Sequence, residues 1–295
     1  MAARAVNLDD TRNQQMTTVA RLLRESGLAA ADARVLLRHV LGWSPAQLAS
    51  RADASLPPPL VAAFGALVSR RAVGEPVAYI TGEREFYGLM FKVTPAVLIP
   101  RPETELLVEL ALERIPPDTP CRVLDLGTGS GCVALAIASQ RPQARITATD
   151  CSQDALNVAA ANAHALGVRN IEFARGDWFD APDIRHFDLI VSNPPYIAAG
   201  DLHLGQGDLR FEPRGALAAG ADGLDCIRTI VRGASTRLSA GGWLLFEHGY
   251  DQARVCRELL RITGFGAVCS RPDLAGIARV SGGSLLDDSR HETLN

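Results

Sequence analysis

Lysine is almost missing from this chain: of 30 basic residues only Lys92 is one, and together they fall short of the 33 acids. The formal charge of −3 removes the basic excess by which proteins hold duplex nucleic acid through many phosphates. With alanine abundant, an all but lysine-free basic set reflects genome composition rather than mechanism. Long apolar runs are missing too. None approaches the roughly 20 residues that span a bilayer, and Asp9, Asp10, Asn13, Gln14 and Gln15 interrupt the segment where a signal core would lie. A soluble, non-secreted, cytoplasmic chain without membrane attachment is expected. The cysteines at 121, 132, 151, 226, 256 and 269 stand singly, with no C-x-x-C pair and no Cys/His cluster at zinc-ligand spacing. They read as small buried residues in a reducing compartment, and no metal is expected.

What remains is ordinary globular composition, 47% hydrophobic and 21% charged over 295 residues, enough for about two domains. Residues 1–15 are polar and expected to be disordered, with Met16 an alternative start. Apolar residues then recur at helical spacing through Val19, Leu22 and Leu23, through Ala30–Leu41 and through Pro57–Arg71, with Gly27, Gly42 and Gly74 as stops. This predicts a small all-helical domain over 16–74. From 75 to 100 the turn residues Gly82, Gly88 and Pro95 alternate with apolar ones, which predicts a β-hairpin linker. Pro100-Arg101-Pro102 opens a helix whose first turn holds Glu103 and Glu105, acids suited to the positive end of its dipole. Beyond Pro116 strands and helices alternate, predicting an α/β domain over 101–283 with a mostly parallel sheet covered on both faces. Two closing strands near 265–270 and 278–282 are too close for a crossover helix and are expected as an antiparallel edge pair. Residues 284–295 read as a disordered tail.

Two motifs carry chemistry. In Asp125-Leu126-Gly127-Thr128-Gly129-Ser130-Gly131 a predicted strand gives way to a helix. Alternate glycines let the backbone approach a ligand closely at a helix N-terminus. A dinucleotide loop wants G-x-G-x-x-G, whereas here the third glycine is Gly131 and the next position is Cys132. The D-x-G-x-G-x-G spacing resembles the S-adenosylmethionine loop of class I methyltransferases, where an acid such as Asp125 is suited to an ammonium. Asp150 ends the next strand, where an acid accepts both ribose hydroxyls; alone it reads equally as a helix cap. Gly176-Asp177-Trp178 follows the third strand, placing Asp177 or Trp178 to flank an adenine, with a plain core role the competing reading for Trp178.

The second motif, Asn193-Pro194-Pro195-Tyr196, ends a buried strand. Its prolines lack N–H groups and stiffen the chain, so the main chain there can only accept hydrogen bonds. Asn193 adds a side-chain carbonyl and Tyr196 a flat aromatic face. Such a corner suits a planar –NH2 group, whose delocalised nitrogen is a weak nucleophile that gains from orientation and fixed dipoles rather than from a strong base. His248 is therefore not expected to act as one.

At these residues the chain resembles an amino-methyltransferase, and further segments narrow the likeness to the release-factor glutamine methyltransferases (the HemK/PrmC family). They are Gly74-Glu75-Pro76, Tyr79-Ile80-Thr81-Gly82, Glu85-Phe86-Tyr87-Gly88, Ile99-Pro100-Arg101-Pro102-Glu103-Thr104-Glu105, Phe211-Glu212-Pro213-Arg214 and Glu247-His248-Gly249. The resemblance spans about residues 17–283. It implies a Rossmann-like class I methyltransferase sheet and S-adenosylmethionine as methyl donor. The substrate implied is the Gly-Gly-Gln glutamine of class I peptide-chain release factors, methylated at its side-chain nitrogen (N5). Carried over by position, Asp125, Gly127, Thr128, Gly129, Ser130, Gly131, Asp150, Asp177, Trp178 and Asn193 would hold the cofactor. Asn193, Pro194, Pro195 and Tyr196 would hold the glutamine, with Asn193, Pro194 and Tyr196 catalytic, and the N-terminal helices would dock the release factor. Arg101, Glu103 and Glu105 are expected at the cofactor or peptide entrance, with the helix start the competing reading for Glu103 and Glu105; for Glu212 and Arg214 a structural ion pair is an equal alternative. A monomer without stable nucleic-acid binding is expected. The rival readings are an N6-adenine nucleic-acid methyltransferase and a non-catalytic S-adenosylmethionine-binding module.

Overall fold

The computed structural model describes residues 17–180 and 186–286. The expected disordered start and most of the expected tail lie outside those residues. The chain divides into two compact units that part between Thr81 and Gly82.

The first unit is helical: α1 (Val19–Glu25), α2 (Ala30–Leu41), α3 (Pro45–Ser50), α4 (Pro58–Ala72) and α5 (Val77–Thr81). Its ends are set by local chemistry. Thr18 accepts a hydrogen bond from the Arg21 amide at the start of α1, Ser44 and Gln47 form a reciprocal capping box before α3, and Gly42 ends α2 at φ 64°. Val19, Leu36, Leu37, Leu48, Phe64 and Ile80 form the buried core, and an Arg71–Asp32 ion pair of 2.7 Å ties α4 to α2. Helix α5 departs from the sequence reading, which put residues 75–100 in a hairpin linker. Its run Val77-Ala78-Tyr79-Ile80 is too short to show helical periodicity and rich in strand-forming types, yet it follows Pro76 and packs Ile80 into the helical core.

The second unit opens with the hairpin β1 (Glu83–Phe86) and β2 (Leu89–Lys92). Its two-residue turn puts both Tyr87 and Gly88 at positive φ, the geometry that follows strand twist. Glu105 Oε1 accepts the Tyr87 amide at 2.9 Å, so this acid braces the hairpin turn. A short 3-10 turn (Pro102–Thr104) leads into α6 (Glu105–Leu112). There follow β3 (Arg122–Leu126), α7 (Cys132–Gln140), β4 (Arg145–Asp150), α8 (Gln153–Leu166), β5 (Ile171–Arg175) and β6 (Phe187–Ser192). The chain ends with α9 (Asp225–Ala234), β7 (Leu238–Glu247), α10 (Ala253–Ile262), β8 (Phe265–Pro272) and β9 (Ala278–Leu285).

The sheet order is β5-β4-β3-β6-β7-β9-β8, parallel from β5 to β7, with β9 antiparallel to both its neighbours. The antiparallel pair expected at one edge is present. Its last strand runs to Leu285, so Ser284 and Leu285 belong to the sheet rather than to a tail. Side chains alternate across it: Val123 of β3 joins the core under α6 and α7, while Leu124 and Leu126 join the core under α9. Strand order reverses between β3 and β6, and at such a switch point the loops leaving the two strands diverge and open a crevice at their carboxyl ends.

Candidate active site

That crevice is a cavity of about 380 Å³. The glycine loop from β3 lines one side. Gly127, Gly129 and Gly131 have φ of 71°, 57° and 82°, values that side-chain-bearing residues rarely adopt. The Gly127 and Thr128 amides both donate to Thr149 O at 2.9 Å, which bends the loop over β4. Gly127 and Gly129 line the cavity with Thr128 and Ser130; Gly131 does not. A Cβ there would lie 3.0 Å from Leu135 Cδ1 and 3.1 Å from Ala159 Cβ, so Gly131 lets α7 seat closely against α8.

Two carboxylates flank the loop. Asp125 is 1% exposed, accepts the Thr128 hydroxyl at 2.7 Å and is pushed up to about 7 by burial, with the nearby Asp150 charge adding to the rise. Asp150 accepts the Gly129 amide on Oδ2 and the Ser152 amide on Oδ1, each at 2.9 Å. The cap of α8 is Ser152, whose side chain accepts from Ala155; Asp150 instead braces the two loops and lines the cavity. Asp177 and Trp178 line it as well. Trp178 takes φ 50°, and its ring would lie 3.6 Å from a Cβ at Gly127 while also packing on the α9 core.

The opposite wall comes from β6. Asn193 and Pro195 line the cavity, whereas Pro194 and Tyr196 do not. Asn193 Nδ2 donates to Thr104 Oγ1 at 3.0 Å, the Thr104 hydroxyl donates to Glu247 Oε2 at 2.7 Å, and the Tyr196 hydroxyl donates to Glu247 Oε1 at 3.1 Å. Among the described residues no hydrogen bond reaches Asn193 Oδ1 or the Pro194 carbonyl. The Tyr196 carbonyl is taken by Gln252 Nε2 at 3.0 Å. Burial raises both Glu247 and the Tyr196 phenol above their ordinary values.

The remaining wall joins two distant segments. Glu212 accepts the Ile99 amide at 3.0 Å and pairs with Arg101. This corrects the expected Glu212–Arg214 pair: Arg214 opens a 3-10 turn instead. The Glu212 side chain is fully buried, and it staples the segment holding Leu98 and Pro100 to the one holding Pro213 and Gly215, all four cavity-lining. Sequence reasoning gave Thr104 and Glu247 no role here. His248 is buried and its ordinary value is lowered by desolvation. Its Nδ1 meets Gly249 O at 2.8 Å and its Nε2 meets Ser281 Oγ at 2.9 Å, and His248 does not line the cavity. Among the described residues no cluster of His, Cys, Asp or Glu is placed to hold a metal, and no helix is long and apolar enough to cross a membrane.

Known proteins resemble this chain in sequence and in fold. Residues 14–82 match the family model described as PrmC N-terminal domain, and residues 103–207 match the methyltransferase small domain. A Burkholderia pseudomallei protein named release factor glutamine methyltransferase is 55% identical over 94% of this chain and 99% of its own length. A Bordetella pertussis protein of the same name is 52% identical over 92% of this chain and all of its own length. Among solved structures, a T. thermophilus 16S rRNA methyltransferase in complex with AdoMet and guanosine superposes with a TM-score of 0.52 at 21% identity. The overlap covers 69% of this chain and 49% of that one, a likeness of fold.

Proposed function

The chain belongs to the release factor glutamine methyltransferases, and on that premise we propose that it methylates the side-chain nitrogen (N5) of the Gly-Gly-Gln glutamine of class I peptide-chain release factors. S-adenosylmethionine is the donor in this reading. The observation that carries it is the acceptor corner at Asn193, opening on the same cavity as the glycine loop.

The residues present fit that cofactor. Burial disfavours the Asp125 carboxylate on its own, so a cation beside it is stabilising, and the ammonium is one. Asp150 keeps a free lone pair on each oxygen for the two ribose hydroxyls. Gly127 and Gly129 line the cavity without side chains, and Asp177 and Trp178, which line it too, are assigned to flank the adenine. When bound, S-adenosylmethionine supplies an electrophilic methyl group on a sulfonium.

Asn193 Oδ1 and the Pro194 carbonyl accept the two hydrogens of the glutamine –NH2, turning its nitrogen toward the cavity and raising its electron density. Held there, the nitrogen would take the methyl that the sulfonium supplies, its thioether departing with the electron pair, and would give one proton to solvent. No strong base is needed, in keeping with a fully engaged His248. The helical unit, which matches the PrmC N-terminal domain, is assigned in this reading to holding the release factor. Transfer of tritium from labelled S-adenosylmethionine to purified release factor should occur, and should vanish when the Gly-Gly-Gln glutamine is alanine. Label on nucleic acid, or on the alanine variant, would overturn the reading.

The Asp125 geometry adds a pH dependence. Its folded value of about 7 lies above the ordinary carboxylate value, so the empty site holds a proton at low pH that the ammonium must displace. Cofactor affinity should fall about tenfold from pH 8 to pH 6, since the ionised fraction changes by that factor around 7. It should decline again at higher pH as the cofactor's own amino group deprotonates. Calorimetric titration across this range, with Asp125→Asn losing the acidic limb, checks the assignment.

A further inference from the structure

Resting on that reading, we propose that Thr104 and Glu247 are positioning residues: a buried carboxylate orders the hydrogens of its neighbours so that Asn193 presents its carbonyl, and not its –NH2, to the substrate. Glu247 is 1% exposed at the end of β7, and its two hydrogen-bond partners are hydroxyls, Thr104 at 2.7 Å and Tyr196 at 3.1 Å. Ionised, a state that the Thr104 and Tyr196 hydrogen bonds and the Arg279 charge favour against burial, Glu247 only accepts. Thr104 therefore commits its single hydrogen to Glu247, and its oxygen is left to accept. The group that donates to it is Asn193 Nδ2, at 3.0 Å. With the Asn193 amide turned over, Oδ1 would meet an oxygen with no hydrogen to give, and this bond would be lost. The orientation of Asn193 is thus fixed from a residue 54 positions away in sequence that does not line the cavity.

The same polarity excludes the wrong ligand. Tyr196 also commits its hydrogen to Glu247, so the phenol has none to offer a substrate oxygen. A wall that presents carbonyls matches the two hydrogens of a glutamine amide and repels the carboxylate of glutamate. Burial of an acid with no cation in hydrogen-bond contact is unfavourable, and a purely structural position would be served as well by a neutral amide. A fixed direction of hydrogen bonding is what the carboxylate supplies and glutamine would not.

The test uses the full chain and intact release factor. Thr104→Val keeps the shape and removes the hydroxyl; kcat should fall about 10- to 100-fold with S-adenosylmethionine affinity little changed, while the melting temperature drops because Glu247 loses a buried partner. Thr104→Ser should recover most of that loss. Glu247→Gln, whose amide can donate back to Thr104 or Tyr196, should slow turnover similarly. It should also bind a release factor carrying glutamate in the Gly-Gly-Gln position more tightly than wild type does. Wild-type turnover in Thr104→Val, or a serine variant as slow as the valine one, overturns the proposal. So does cofactor affinity falling in step with kcat in both the valine and the glutamine variants, the mark of a folding role. Failure of wild-type protein to methylate the release factor at all would sink the functional reading instead.

Discussion

Asn193→Ala should slow methyl transfer to a release factor by about 100- to 1,000-fold, the range seen when one fixed dipole at a reacting centre is removed. Two things are lost together. One of the two acceptors for the –NH2 hydrogens disappears, so the nitrogen is free to rotate out of line with the methyl group. Thr104 Oγ1 also loses its donor, leaving its lone pair unpaired in a buried setting. Cofactor affinity should weaken much less, because the glycine loop, Asp125 and Asp150 remain intact. Single-turnover kinetics at saturating S-adenosylmethionine isolate the chemical step from binding. Turnover close to wild type would show that Asn193 does not orient the amide. A cofactor dissociation constant rising as much as the rate falls would place Asn193 in cofactor binding alone.

Which parts of this site were legible in the amino-acid order follows from how far apart their partners lie. The glycine loop was readable because its glycines, the preceding acid and the helix they open occupy one local segment, and the backbone itself demands glycine at 127 and 129. The parallel sheet and its antiparallel edge were readable from alternation and from connection lengths, since too few residues lie between 270 and 278 for a crossover. The Asn193–Tyr196 motif of the second wall was readable as well, but the contacts that hold that wall were not. Asn193 meets Thr104 across 89 positions, Thr104 meets Glu247 across 143, and Arg101 meets Glu212 across 111. Local reasoning paired Glu212 with its near neighbour Arg214, where folding pairs it with a distant one. Gly131 shows the same limit: its spacing marks it as part of the loop and its φ of 82° asks for glycine, but only the packing of α7 on α8 shows that the crowding there comes from a helix and not from the cavity. The residues between β6 and α9 carry 3-10 turns whose one-turn length leaves no periodic trace.

Asp150→Ala should raise the dissociation constant for S-adenosylmethionine by about 100-fold or more, since four hydrogen bonds to one carboxylate are at stake. Two are present without ligand, from the Gly129 and Ser152 amides at 2.9 Å. The other two are those assigned to the ribose hydroxyls. Asparagine is not a mild replacement: its –NH2 would face one of the two backbone N–H groups, donor against donor, and open either the glycine loop or the start of α8. Both variants should therefore bind poorly and should exchange the Gly129 and Ser152 amide hydrogens faster. The kinetic signature separates them from Asn193→Ala. Because the acceptor corner is untouched, Asp150→Ala should regain much of its rate as cofactor concentration is raised, whereas Asn193→Ala should stay slow at saturation. An Asp150→Ala protein that binds cofactor normally would remove the ribose assignment. If it instead bound poorly but stayed slow when saturated, Asp150 would be holding the loop for the chemical step as well as for binding.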